Sequence, residues 1–410
     1  MNTHLASKLF TPITIGPLTL RNRTIRSAAF EGMCPGNAPS PMLLDYHRSV
    51  AAGGVGMTTV AYASVTRSGL SFPRQLWLRP EIIPGLRELT DAIHAEGAAA
   101  SIQIGHCGNM SHKSICGVTP ISASSGFNIY SPTWVRGMRR EELPEMAKAY
   151  GRAVYLAREA GFDAVEVHAG HGYLISQFLS PYTNRRKDEY GGSLENRMRF
   201  MTMVMEEVMK AAGSDIAVFV KMNMRDGFRG GMEIEETLEV ARRLESLGVH
   251  ALVLSGGFVS KAPMYVMRGA MPIRTLTHYM DCWWLKYGVK LAGRVMIPTV
   301  PFKEVYFLED ALKFRSEIKI PLIYVGGLVS REKIDEVLNE GFEAVQMARA
   351  LLNEPGFVNR MRREEKARCN CGHSNYCIGR MYTIEMACHH HLAEELPLCL
   401  QKEIEHLENK

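Results

Sequence analysis

Eight short apolar, β-branched runs recur along the chain, each followed by a loop and mostly by an amphipathic segment with charges at helical spacing. They are Thr24–Ala28, Gly56–Tyr62, Ala98–Ile104, Ala164–His168, Ala217–Met222, Ala251–Ser255, Leu322–Val325 and Ala344–Met347. The helical pattern is clearest over Glu81–Ala95, Glu142–Ala160, Leu194–Ala212, Glu233–Leu247 and Arg331–Glu340. Gly97, Gly161, Gly213, Gly248 and Gly341 stand where a helix C-terminus favours glycine. Strands that alternate with helices pair in parallel through crossovers. Eight such units predict a closed (β/α)8 TIM barrel. An open doubly wound sheet would need a GxGxxG after its first strand, and residues 27–32 read SAAFEG. Residues 9–20, LFTPITIGPLTL, predict an N-terminal hairpin turning at Gly16-Pro17. Residues 105–140 and 256–320 interrupt the rhythm on the C-terminal side of strands three and six, where long loops wall a site.

Composition narrows the function. Of 410 residues, 46% are hydrophobic and 22% charged, enough for a large core. The net charge is only +5 with no basic stripe, which argues against nucleic acid. No apolar run reaches the roughly 18 residues of a membrane helix. MNTHLASKLF lacks the charged-then-apolar pattern of a secretory signal. Five of the nine cysteines crowd the tail after Ala367, unlike a disulfide scaffold, so a reducing, cytoplasmic setting is expected.

Chemistry concentrates at strand ends, where α/β folds bind ligands. The run Ala164–Val167 breaks into His168, His171 and Tyr173 within six residues. Two imidazoles and a phenol can bond a carbonyl oxygen and give a proton to a carbanion. Strand seven ends in Gly326-Gly327 and strand eight in Ala348-Arg349, an arrangement that suits a phosphate. Gln103 ends strand three with an amide fit for the edge of a heterocycle. Lys221 sits among apolar residues in strand five, so it needs an anionic partner or a special task.

Four stretches resemble the old yellow enzyme family of NADH:flavin oxidoreductases, in the branch with 2,4-dienoyl-CoA and enoate reductases. They are PITIGPLTLRNRTIRSAAFEGM, QIGHCG at 103–108, VEVHAGHGYLISQFLSPYTNRRKDEYGGSLENR at 165–197, and IPLIYVGGLVSREKIDEVLNEGFEAVQMARALLNEP at 320–355. The resemblance implies an FMN-binding TIM barrel that carries hydride from NADH or NADPH to an activated C=C bond of an α,β-unsaturated carbonyl compound. It implies FMN contacts from Ser27, Ala28, Ala29, Tyr62, Gln103, Lys221, Gly257, Gly326, Gly327, Ala348 and Arg349. His168 and His171 would hold the substrate oxygen and Tyr173 would supply the proton. The alternative on the same fold is a flavin-dependent amine (C–N) dehydrogenase or demethylase. The partner expected is a small unsaturated substrate, without nucleic acid or membrane; barrels of this kind range from monomer to tetramer, which leaves a homo-oligomer open.

Larger members of that family carry a [4Fe–4S] cluster after the barrel, followed by FAD and NAD(P)H domains. Here the boundary falls near 360, with residues 1–360 as barrel and 361–410 as a cysteine-rich extension. The tail reads RCNCGHSNYC and then IGRMYTIEMAC. Aligning Cys371 and Cys377 with the family's run leaves Ser374 at the second position, with Cys369 and Cys388 as the other thiols. Clusters need thiolates at defined spacing, so the expectation is a degenerate motif that packs on the barrel without metal. Zn²⁺ held with His373 or His389–His391 is the other metal reading.

Overall fold

The eight runs are strands: β1 (Thr24–Arg26), β2 (Met57–Ser64), β3 (Ala99–Gly105), β4 (Ala164–His168), β5 (Ala217–Asn223), β6 (Ala251–Ser255), β7 (Leu322–Val325) and β8 (Ala344–Met347). The computed structural model of the chain describes residues 7–129, 132–392 and 396–409. Within them the strands close, all parallel and in chain order, into a barrel in which β8 pairs back onto β1. The (β/α)8 expectation therefore holds.

Each strand is followed by a helix on the outside: α1 (Pro41–Ala52), α2 (Ile83–Ala95), α3 (Glu142–Glu159), α4 (Leu194–Ala212), α5 (Ile234–Ser246), α6 (Leu308–Glu317), α7 (Arg331–Asn339) and α8 (Phe357–Arg363). Their apolar faces recur at three- and four-residue spacing, as with Leu143, Met146, Ala147, Tyr150 and Val154 of α3. Ser40, Ser193 and Ser330 cap α1, α4 and α7 by accepting a backbone N–H one turn on. The sequence pattern missed α1, α6 and α8 for identifiable reasons, α8 because it is only seven residues long. The buried face of α1 includes a polar residue, His47, and α6 buries only Ala311 and Phe314.

The N-terminal hairpin (Ile13–Ile15 with Leu18–Leu20) joins the lower core of the barrel. Its Ile15 and Leu20 cluster with Ile25, Phe219, Val253 and Ile323. Gly16 turns it at a φ of 57°, and a Cβ there would meet the His250 ring at 2.5 Å. Above this apolar layer the barrel interior becomes polar, with Ser27, Gln103, Glu166, Lys221 and Gln346 all buried. The interior thus changes character along the strands, and the polar end is the end that carries the site.

Residues 105–140 contain a small three-stranded sheet, and residues 256–320 are mainly helical. The extension after α8 packs on the barrel, and Ala367 and Cys369 belong to its main core. No described helix is long and apolar enough to cross a membrane.

Candidate active site

His168 is the last residue of β4, and its side chain is buried. The chain then makes a tight turn in which His171 adopts a φ of 58°, an uncommon conformation for a non-glycine residue. Asn223 of β5 holds this turn, its Oδ1 accepting the His171 N–H at 2.9 Å. The turn gathers three rings. His168 meets His171 edge-on at 5.0 Å between centroids and Tyr173 at 4.7 Å. His171 Nε2 lies 2.8 Å from Ser255 Oγ at the end of β6. Tyr62, from the end of β2, lies 5.3 Å from the Tyr173 ring. Ser71 Oγ and Cys107 Sγ fix its phenol at 2.7 and 3.1 Å.

These groups line a cavity of about 320 Å³ at the strands' C-terminal ends. Ser27, Ala28, Ala29, Tyr62, Gln103, Lys221, Ala348 and Arg349 line the same cavity, so most of the residues singled out from sequence converge. Both insertions contribute, through Met110 and through Val259, Val266, Met267 and Tyr306. The C-terminal extension supplies Ile378, Met381, Tyr382 and Met386. That wall was not foreseen, because the helix Tyr376–Met381, which carries Ile378 and Met381 and ends at Tyr382, is only six residues long, too short to show a period.

The three other expected cofactor residues, Gly257, Gly326 and Gly327, are packed by residues of the 256–320 insertion. A Cβ on Gly326 would meet the Phe307 ring at 2.9 Å, and one on Gly327 the Tyr306 ring at 2.8 Å. Gly257 backs onto the Tyr265–Val266 segment, and its carbonyl accepts from Asn223 Nδ2 at 2.9 Å. Arg349 opens the short helix Arg349–Asn353 and donates to Asn375 Oδ1 at 2.6 Å.

Beneath the cavity lies a residue the sequence reading passed over. Glu166, in the middle of β4, accepts from Gln103 Nε2 at 2.7 Å and from Gln346 Nε2 at 2.7 Å, and pairs with Lys221 Nζ at 2.9 Å. Lys221 also donates to Ser27 Oγ at 3.2 Å, which donates to Gln346 Oε1 at 2.9 Å. The signal was available: an acid in the run AVEVH points the same way as His168, two residues on. A second ion pair, Arg26–Glu31 at 2.7 Å, braces the segment after β1, with Arg26 also donating to the Ala29 carbonyl.

Burial sets the protonation of the site. Desolvation first, then the neighbouring His171 and Lys221, hold His168 well below the usual imidazole range. Desolvation and Lys221 lower His171 to about 3. Burial raises the Tyr173 and Tyr62 phenols, so both keep their protons. Burial also lowers Lys221, opposed by Glu166. The wall thus presents neutral imidazoles, protonated phenols and a cation with its counter-charge below.

Sequence comparison gives these features a setting. The profile of the NADH:flavin oxidoreductase / NADH oxidase family matches residues 8–367. The chain belongs to that family. It is 40% identical to 4,4'-dithiodibutanoate disulfide reductase of Rhodococcus erythropolis, over 93% of this chain and 95% of that protein. It is 31% identical to an NADPH dehydrogenase of Halalkalibacterium halodurans, over 85% and 92% of the two chains. Some matches are longer: the chain spans 48% of a metal reductase of Desulforamulus reducens. Among solved structures, the old yellow enzyme homologue of Zymomonas mobilis superposes with a TM-score of 0.72 at 23% identity, over 92% of this chain and 97% of that one.

Membership makes the chain an FMN-dependent oxidoreductase that takes reducing equivalents from NADH or NADPH. The donor set suits FMN. Gln103 and Ser27 offer an amide and a hydroxyl, Lys221 a cation, Ala28 and Ala29 a close backbone approach, and Arg349 a guanidinium for a phosphate.

The tail thiols sit apart from this chemistry. Cys371, Cys377 and Cys388 line a separate small cavity behind Arg349, and Cys369 Sγ donates to Asn353 Oδ1 at 3.1 Å. His389, His390 and Glu408 bring one potential ligand atom each within 4.8 Å of one another. His373 instead stacks on Phe302 at 3.6 Å.

Proposed function

We propose that the enzyme reduces the activated C=C bond of an α,β-unsaturated carbonyl compound with electrons from NAD(P)H. The observation that carries this reading is the single cavity wall on which two neutral imidazoles meet a protonated phenol, with ring centroids 5.0 and 4.7 Å from His168. Ser27, Ala28, Ala29, Gln103, Lys221 and Arg349 would hold the FMN, which when bound would supply hydride transfer between nicotinamide and substrate.

The chain's own residues supply the rest. Neutral imidazoles donate N–H bonds without bringing a charge, so they polarise a carbonyl oxygen and stabilise the enolate charge that develops there. Tyr173 holds the proton for the α-carbon, and its raised pKa keeps that proton in place until a carbanion demands it. Ser255 and Asn223 orient His171. One cavity serving donor and acceptor in turn implies double-displacement kinetics.

A second reading draws on the 40% identity to the disulfide reductase. In it two electrons cleave an S–S bond to two thiols, and Tyr173 gives one of the two protons. One experiment separates the readings. The purified flavoprotein is bleached anaerobically with NADPH and mixed with a simple enone or with an aliphatic dithio-diacid. Rapid recovery of the flavin band by the enone supports the first reading. Recovery by the dithio-diacid alone replaces it with the second.

A further inference from the structure

The helix Trp283–Met296 carries an apolar face that no described residue covers. Trp283, Tyr287, Leu291 and Val295 follow one another at four-residue spacing and are between 62% and 85% exposed, and exposed Trp284 flanks them. Lys286, Lys290 and Arg294 form a parallel row along one edge of this face. The Lys290 ammonium lies 5.8 Å from the Tyr287 ring centre. The helix contains no acidic residue. Its opposite side is docked. Val289 packs in a cluster with Met264, Met267, Ile378 and Tyr382, and a Cβ on Gly293 would meet Ile273 at 2.8 Å. Met267, Ile378 and Tyr382 also line the active-site cavity.

We infer that this helix docks the enzyme on an anionic lipid surface, lying flat with its aromatic and aliphatic face in the interface and its basic row at the headgroups. Tryptophan and tyrosine at one end, aliphatic residues along the face and only cations at its edge make the composition of an interfacial helix. At 14 residues it is about 21 Å long, too short to span a bilayer. A second copy of the chain fits the same face poorly. Pairing two such helices across a twofold axis offers the cationic row of each no carboxylate on the other. The face of one short helix, roughly 230 Å², is also far below the roughly 800 Å² per partner of a stable interface. The expectation of no membrane partner rested on the lack of a spanning segment, which says nothing about a helix that lies on the surface. Because the docked side of the helix packs on the cavity's own wall, docking would set the cavity beside the bilayer and favour apolar acceptors dissolved in it. That last step rests on the proposed enone chemistry; the docking does not.

The test is cosedimentation of the holoenzyme with vesicles of phosphatidylcholine and phosphatidylglycerol in equal parts, and with vesicles of phosphatidylcholine alone. Binding should favour the anionic vesicles, weaken with salt and shift tryptophan emission to the blue. The double variant Leu291→Asp/Val295→Asp should lose affinity by roughly tenfold or more. It should keep its flavin and its turnover of a water-soluble acceptor without vesicles. Lys286→Ala and Lys290→Ala should each weaken binding roughly fivefold on anionic vesicles only. The inference fails if the holoenzyme stays in the supernatant or if the double variant sediments as the native protein does. It fails equally if the native protein is an oligomer that the double variant splits into monomers, because the face is then an interface between copies.

Discussion

Glu166 Oε1 and Lys221 Nζ face each other at 2.9 Å on neighbouring strands, with 0% and 2% of their side chains exposed. The pair holds a cation at the floor of the cavity, and Gln103 and Gln346 take up the remaining carboxylate capacity. Breaking a buried pair on one side strands the other charge, which costs about 3–5 kcal/mol, whereas replacing both partners costs far less. Glu166→Gln and Lys221→Met should each destabilise the enzyme on that scale in urea unfolding. The combined variant should lose much less than the sum. Additive losses would show that the two groups do not act as a pair.

Tyr173 stands at the junction of the ring cluster, 4.7 Å from His168 and 5.3 Å from Tyr62. Tyr173→Phe keeps the ring and removes the proton. Reduction of the flavin by NAD(P)H should be nearly unchanged, while reoxidation by an enone slows by roughly 10²-fold or more, the scale of general-acid catalysis. Stopped-flow measurement of the two half-reactions separates them. If both keep their native rates, the proton comes from elsewhere.

Much of this was legible because a barrel strand has a short period and a defined end. The eight runs announced themselves by β-branched residues and apolar burial, and His168, Gln103 and Arg349 stood out because they interrupt those runs at their C-terminal ends. Glu166 escaped notice because it lies inside its strand, where its meaning depends on Lys221, 55 positions later in the chain. Tyr306 and Met386 escaped because they lie outside any helix or strand, and Tyr382 because it follows a helix of only six residues. Gly326 and Gly327 followed the expected pattern at the end of β7. Their packing against Tyr306 and Phe307 depends on the fold of the 256–320 insertion.

Arg349 lines the cavity with one edge of its guanidinium held by Asn375 Oδ1 at 2.6 Å. Hydrogen bonds to charged groups are worth about 1.5–3 kcal/mol each. Arg349→Met should therefore weaken FMN retention by roughly tenfold to a hundredfold, read as the flavin-to-protein ratio after gel filtration and by titration of the apoprotein with FMN. Riboflavin, which lacks the phosphate, should bind the variant and the native protein alike. A variant that loses both ligands equally would place Arg349 in structural support instead.

The buried histidines tie stability to pH with a definite sign. His171 is held near 3 by burial and by Lys221, and burial brings His106 to about the same value. Unfolding restores the ordinary imidazole value near 6.5. Between about pH 3 and 6.5 the unfolded chain binds more protons than the folded one, so stability rises with pH through this window and its contribution is complete above it. His171→Asn removes one such group. The pH dependence of its unfolding free energy, measured in urea between pH 4 and 8, should be shallower than that of the native enzyme by up to one proton below pH 6, and parallel above pH 7. Catalysis should report the same state. Because neither His168 nor His171 charges in the working range, the rate of enone reduction should show no inflection near pH 6.5 that disappears in His171→Asn. Such an inflection would mean that the pair works as an imidazolium and that Lys221 does not set its charge.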